Sequence, residues 1–238
     1  MFDIVITAHK EQNRLIETLN SIKRNIDLLP DEKIVKVYVS LDSADQVTKD
    51  IAYSNNGSYF IFEYDFKDVG LSRNATLYRG ESKYVGFVDA GDVWCNDWLL
   101  KTYQQILKND SIQDCVYHPF ITFFVMKDRN EFIVHPDTRD SFNKWAVILN
   151  NPWTSSFITT RQSLNKLQFK SGATGANSKF SFEDWSWNRD SLYLGFNHVQ
   201  VPETVHFCQI FESGNSSRSH RKNLRPHPSL LFEKLLRL

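Results

Sequence analysis

The chain has 238 residues, with 28 Lys+Arg balanced by 28 Asp+Glu, 41% hydrophobic and 14% aromatic. That length holds one domain with a sizeable core, the aromatic content excludes disorder, and zero formal charge argues against gripping nucleic acid by bulk electrostatics. No apolar run approaches the roughly 20 residues that cross a bilayer, and the N-terminus lacks the basic-then-apolar layout of a secretory leader.

In chain order, Ile4-Val5-Ile6 is a β-branched run that stops at Thr7-Ala8-His9. Leu15, Leu19, Ile22 and Ile26 follow at helical spacing. Val35, Val37 and Val39 alternate up to Leu41-Asp42-Ser43, Tyr59 to Phe62 is a short apolar run, and Tyr84 to Val88 ends abruptly in Asp89-Ala90-Gly91-Asp92. Trp98 to Leu107 again fits a helix. Strands alternating with helical crossovers predict an α/β domain with a mixed, mostly parallel sheet flanked by helices. Ligands then sit beyond the carboxyl ends of the strands, where His9, Glu11, Asp42, Asp89 and Asp92 converge.

Beyond residue 110, strands are expected at Tyr117–Met126, Phe132–His135, Ser156–Thr160 and Val199–Val205, with helices near 139–148, 161–167 and 182–194. No linker is visible, so residues 111–222 complete the same sheet. Leucines and Phe232 at 230–238 make an amphipathic end to the segment 223–238, expected to dock on the body or touch a membrane surface. Cys95, Cys115 and Cys208 are too few and too far apart for a disulfide framework and are expected to be free thiols of a cytoplasmic protein.

Asp89 and Asp92 in a tight turn offer hard oxygen ligands for Mg²⁺ or Mn²⁺; a turn followed by a helix cap explains them equally well. In context, Gly70-Leu-Ser-Arg-Asn74 followed by Tyr84-Val-Gly-Phe-Val-Asp-Ala-Gly-Asp92 resembles the signature of glycosyltransferase family 2. Asp3-Ile-Val-Ile-Thr-Ala-His-Lys-Glu11 is similar to that family's first strand and nucleotide-binding loop, and Val39-Ser-Leu-Asp42-Ser-Ala-Asp45 to its second strand.

The resemblance implies a single GT-A domain over 1–238: a nucleotide-sugar half at 1–110, an acceptor half at 111–222 and the C-terminal helix. Thr7, Ala8, His9, Glu11, Asp42, Arg73, Asp89 and Ala90 would line the donor site. Asp89, Asp92 and His206 would hold Mn²⁺ or Mg²⁺, with Asp92 standing in because Gly91 occupies a usual metal-binding Asp position; His220 competes with His206. In Ser181-Phe-Glu-Asp-Trp-Ser-Trp187, Asp184 would be the catalytic base and Glu183 its orienting partner, whereas a helix cap would use the same Ser181-x-x-Asp184 spacing. Trp153 and Trp185 would be acceptor platforms, or else core.

The implied activity is inverting transfer from a UDP- or dTDP-sugar to a glycan or lipid-linked acceptor, at the cytoplasmic side and with peripheral membrane contact through the last helix. Competing readings are a sugar nucleotidyltransferase, against which the absence of glycine in Thr7–Glu11 counts, and a catalytically silent sugar- or nucleotide-binding module.

Overall fold

The computed structural model describes residues 1–54, 58–108, 114–171, 180–210 and 223–236. The first half runs β1 (Phe2–Ala8), α1 (Asn13–Asp27), β2 (Val35–Asp42), α2 (Gln46–Ser54), β3 (Phe60–Tyr64), α3 (Val69–Leu77), β4 (Tyr84–Asp89), β5 (Val93–Trp94) and α4 (Trp98–Lys108). The second half adds β6 (Cys115–Val125), β7 (Asn130–Val134), β8 (Ile158–Thr160), α5 (Arg161–Lys166), α6 (Glu183–Tyr193), β9 (Asn197–Gln209) and α7 (Leu230–Leu235). The described strands form one mixed sheet in the order β3-β2-β1-β4-β8-β6-β9-β5, with β7 also on β6.

Alternation along each inner strand builds two cores. Ile4, Ile6, Val37, Val39 and Val88 face one side with Leu15, Leu19 and Ile22 of α1 and Trp98 and Leu99 of α4. Val5, Tyr38, Val85 and Phe87 face the other with Leu77 of α3, Leu164 of α5 and Trp187 of α6. Both faces are covered, which is why β1 and β4 read as continuous apolar runs.

β1 pairs in parallel with β2 on one side and β4 on the other, so the loops after these strands leave in divergent directions and open a crevice at their carboxyl ends. The register sets Thr7 opposite Asp89. The motif glycine Gly70 lies within α3, where a Cβ would come 2.7 Å from the Lys170 carbonyl. Asn74 of the same helix ties the backbone of Phe169 by accepting from its N–H (3.1 Å) and donating to its carbonyl (2.8 Å).

Two expected helices come out short. The helix near 139–148 shrinks to a 3₁₀ turn, Lys144–Ile148, capped by Asn143. The helix after β2 forms at Gln46–Ser54, its start held by Asp45 accepting from Thr48 N. The C-terminal helix spans Leu230–Leu235 within the described residues and docks on the body, with Leu231 buried and Leu230 N–H donating to Asp190 (2.7 Å). No helix among the described residues is long and apolar enough to cross a membrane, and the cysteines are free.

Candidate active site

The site is organised by one guanidinium. Arg73 of α3 is 1% exposed, and its Nη2 donates to Asp89 Oδ1 at the end of β4 (2.6 Å) while Nη1 donates to Glu183 Oε1 at the start of α6 (2.8 Å). Burial alone would lower the Arg73 pKa; the charges of Asp89 and Glu183 reverse that and raise it, so the cation is fixed. Phe169 and Phe87 flank it at 5.2 and 6.0 Å, an arrangement that suits a weakly hydrated planar cation.

Asp89 receives further donors: Thr7 Oγ1 on Oδ1, and Ser155 Oγ on Oδ2 (2.9 Å). Burial pushes its pKa up, but the Arg73 charge and these hydrogen bonds outweigh it, leaving the carboxyl below its ordinary value and ionised. Its side chain is nevertheless 38% exposed, so it forms part of an open surface rather than a sealed ion pair.

Asp184 follows Glu183 in the first turn of α6, where anions are favoured by the helix dipole. Phe182 before them adopts a left-handed conformation (φ 59°) and caps nothing with its side chain. Gln12 and Ser43, which follow the ends of β1 and β2, share positive φ; strained backbone of this kind gathers at functional sites. Asp184 Oδ2 accepts from Asn151 Nδ2 (3.1 Å). Burial, then the adjacent Glu183 charge, push its pKa up to about 7. Glu183 is also raised, by burial, against the pull of Arg73.

The residues that follow β1, β2 and β4 make specific contacts with one another. Ala90 N–H donates to the Thr7 carbonyl (2.8 Å). The His9 ring contacts the Asp42 carbonyl through Nδ1 (2.7 Å), and Glu11 accepts from His9 N (2.5 Å). Burial raises the Glu11 pKa. Ala8 is buried in the core and offers the site only backbone. The Asp42 carboxylate accepts from the backbone N–H groups of Phe66, Lys67 and Asp68 (2.7, 3.0 and 2.8 Å). It organises the loop after β3, so a contact with the expected donor would have to share oxygens already bonded.

One expectation is corrected. Trp153 is 2% exposed and stacks on His198 (4.0 Å) and His118 (5.3 Å); it is core, and no acceptor ring can reach it. Of the expected metal ligands Asp89, Asp92 and His206, the last two meet directly. Asp92 Oδ2 is 3.0 Å from His206 Nε2, its Oδ1 accepts from Gln209 N, and both side chains are buried. Among the described residues no cluster of three or more His, Cys, Asp or Glu is arranged to hold an ion; the donor types suit Mn²⁺ or Mg²⁺. Gly91 stands there for a conformational reason, its φ of +98° being one that side chains rarely adopt. Trp185 stays half-buried beside Asp184. His220, the competitor of His206, lies outside the described residues.

Sequence reasoning passed over Ser155 and Asn151 as partners of the two aspartates. Nothing local to either residue signals it, since each partner aspartate lies far away in the sequence.

Residues 3–186 match the family described as Glycosyl transferase family 2. No curated protein matches the chain in sequence. Among solved structures, S. aureus TarS 1-349 in complex with UDP-GlcNAc superposes with a TM-score of 0.69 at 18% identity, covering 91% of this chain and 60% of that one. TarS 1-349 with UDP gives 0.64 at 18% identity, covering 89% and 61%, and TarS 1-349 without a named ligand gives 0.65 at 17%, covering 87% and 60%. The chain thus spans about three-fifths of the TarS 1-349 chains it resembles, and at these identities the likeness speaks for the fold. With the family match extending from β1 to the carboxylates that open α6, this chain belongs to glycosyl transferase family 2.

Proposed function

We propose that the protein is a nucleotide-sugar-dependent glycosyltransferase that moves a sugar from a UDP-sugar to an acceptor hydroxyl with inversion. The observation that carries this reading is the Arg73 bridge from Asp89 on the donor side to Glu183, which sets Asp184 next to the donor crevice. UDP and UDP-GlcNAc complexes of the similarly folded TarS favour a uridine donor; a dTDP-sugar shares the pyrimidine edge and is the second donor to test.

In this reading the loops after β1, β2 and β4 hold the nucleotide. Asp89, kept ionised by Arg73, accepts hydrogen bonds from the donor sugar. Asp184 takes the proton from the acceptor hydroxyl as it attacks the anomeric carbon. A carboxylate whose pKa is raised toward neutrality is a stronger base than a surface aspartate. Glu183 and Asn151 hold it in place. One base facing a leaving nucleotide describes a single displacement, hence inversion, by analogy with the glycosidase rule. Mn²⁺ or Mg²⁺ on the diphosphate is proposed from residue types alone. Asp89, Asp92 and His206 would hold it, and it would offset the charge of the leaving diphosphate. The acceptor is a glycan or a lipid-linked sugar, and contact with a membrane surface through α7 belongs to the same proposal.

The test is a panel of UDP- and dTDP-sugars with glycan and lipid-linked acceptors, reading nucleoside diphosphate release and the anomeric configuration of the product. Acceptor-dependent UDP release with an inverted anomer is expected. Donor binding without turnover across the panel would overturn the enzymatic reading.

A further inference from the structure

Helix α6 buries a run of polar side chains: Ser186, Asn188, Arg189, Asp190 and Ser191 are each 6% exposed or less. Four of them hold the fold together. Ser186 Oγ donates to the Phe182 carbonyl and accepts from His227 N. Arg189 donates to the carbonyls of Val147 and Ile148. Asp190 accepts from Lys170 and from Leu230 N, and Ser191 Oγ donates to the Asn188 carbonyl and meets His198 Nε2. Asn188 differs in that its one side-chain hydrogen bond among the described residues runs from Nδ2 to Asn151 Oδ1 (3.0 Å), while its own Oδ1 is buried there without a partner. Stability alone would be served as well by an apolar side chain at this position.

The Asn188 bond leads to Asp184. The two residues are one turn apart on the same face of α6, and Asn151, from the loop after the 3₁₀ turn, links them: its Oδ1 accepts from Asn188 and its Nδ2 donates to Asp184 Oδ2 (3.1 Å). An amide can present either its N–H or its carbonyl to a neighbour, and its remaining hydrogen bonds decide which. Because Asn188 engages Asn151 Oδ1, the N–H end is the one left for Asp184. A donor at that place favours the ionised carboxyl over the protonated one. The charged surroundings are mixed: burial and the charges of Glu183 on α6 and Asp89 on β4 favour the proton, and Arg73 of α3 opposes them. Cys208 of β9 also senses the Asp184 charge.

We propose that Asn188 is a positioning residue: by holding Asn151 Oδ1 it turns the Asn151 N–H onto Asp184 and keeps that carboxylate ready to accept a proton. The catalytic consequence rests on the base role proposed above for Asp184; the amide relay itself does not.

The experiment titrates the Asp184 carboxyl by carbon NMR in the whole chain, with its resonance assigned through Asp184→Asn. Asn151→Leu is expected to move the titration up by about one pH unit, the effect of losing one hydrogen bond to a charged group, and Asn188→Leu by about half of that, since a freed Asn151 can present either end. In the Asn151→Leu background, Asn188→Leu moves it no further, because the relay is already broken. Asn188→Ala, too small to clash, repeats the shift of Asn188→Leu. A residue 188 that acts only through packing would lower the melting temperature and leave the titration in place. That result, or single shifts that add in the double variant, overturns the proposal. The acid limb of kcat with a UDP-sugar, measured on the same proteins, separates the two readings. A limb that follows the NMR titration upholds both; a titration that responds to Asn188 under an unmoved limb upholds the relay and counts against Asp184 as the base.

Discussion

Asp89 and Glu183 share one guanidinium: Arg73 donates to the first at 2.6 Å and to the second at 2.8 Å, joining the end of a central strand to the start of a helix from the other half of the chain. The bridge holds the two carboxylates at one site, and its removal leaves two anions facing each other. Arg73→Gln is therefore expected to destabilise the fold by about 3 kcal/mol, the low end for a broken buried pair because Asp89 is partly solvated. Arg73→Lys, a point charge without the planar fork, recovers only part of this. Urea unfolding of the three proteins checks the order; equal midpoints would remove Arg73 from this role.

The pH profile follows from the same cluster. As the proposed base, Asp184 would act only when deprotonated, and burial with the Glu183 charge pushes its pKa up to about 7. Turnover should rise with pH through an acid limb near that value, well above the range of an ordinary carboxylate. Glu183→Gln removes a neighbouring negative charge, so the limb moves to lower pH, while kcat falls through lost positioning. Asp184→Asn cuts kcat by about 10²- to 10⁴-fold and leaves UDP binding in place. A limb unmoved by Glu183→Gln would separate the observed titration from Asp184.

Much of this was legible in the residues themselves. β1, β2 and β4 announce themselves because both their faces are covered, and the polar residues that stop them mark the crevice. Glu183-Asp184 stands out as a paired carboxylate at a helix start. What stayed hidden depends on partners distant in sequence. Nothing local says that Ser155 would donate to Asp89 or Asn151 to Asp184, or that Asp92 and His206 would satisfy each other. β5 is two residues long and paired with β9, too short for any periodicity.

Trp153 shows the same limit and gives a prediction. Beside Asn151 and Pro152 it reads as a sugar platform, yet His198 and His118 of two central strands enclose it and its Nε1 donates to the Pro136 carbonyl (3.2 Å). Trp153→Ala is expected to cost about 3–5 kcal/mol of stability, as for other large-to-small core changes. Trp185→Ala, at the half-buried position, should raise the acceptor KM while costing less stability. Thermal melts and acceptor titrations distinguish the two, and the opposite pattern would restore Trp153 to the acceptor site.

The histidines around Trp153 set the acid limit of the fold. His118, His135 and His198 are fully buried, and burial lowers the pKa of His135 and His198 from 6.5 to about 3 and that of His118 well below its ordinary value. Folded, they stay neutral; unfolded, each takes up a proton near pH 6.5. Between those values the unfolded chain binds more protons, so stability is full above pH 6.5 and is lost as pH falls toward 3, by roughly 1 kcal/mol per pH unit for each ring. His135 is the clean place to test this, because both its ring nitrogens lack a hydrogen-bond partner among the described residues. His135→Leu removes a polar group that makes no bond, so its stability at pH 8 should match or exceed wild type. Its slope of unfolding free energy between pH 6 and 4 should be shallower by one proton. An unchanged slope would mean that His135 is already charged in the folded protein, or that the unfolded chain never protonates it.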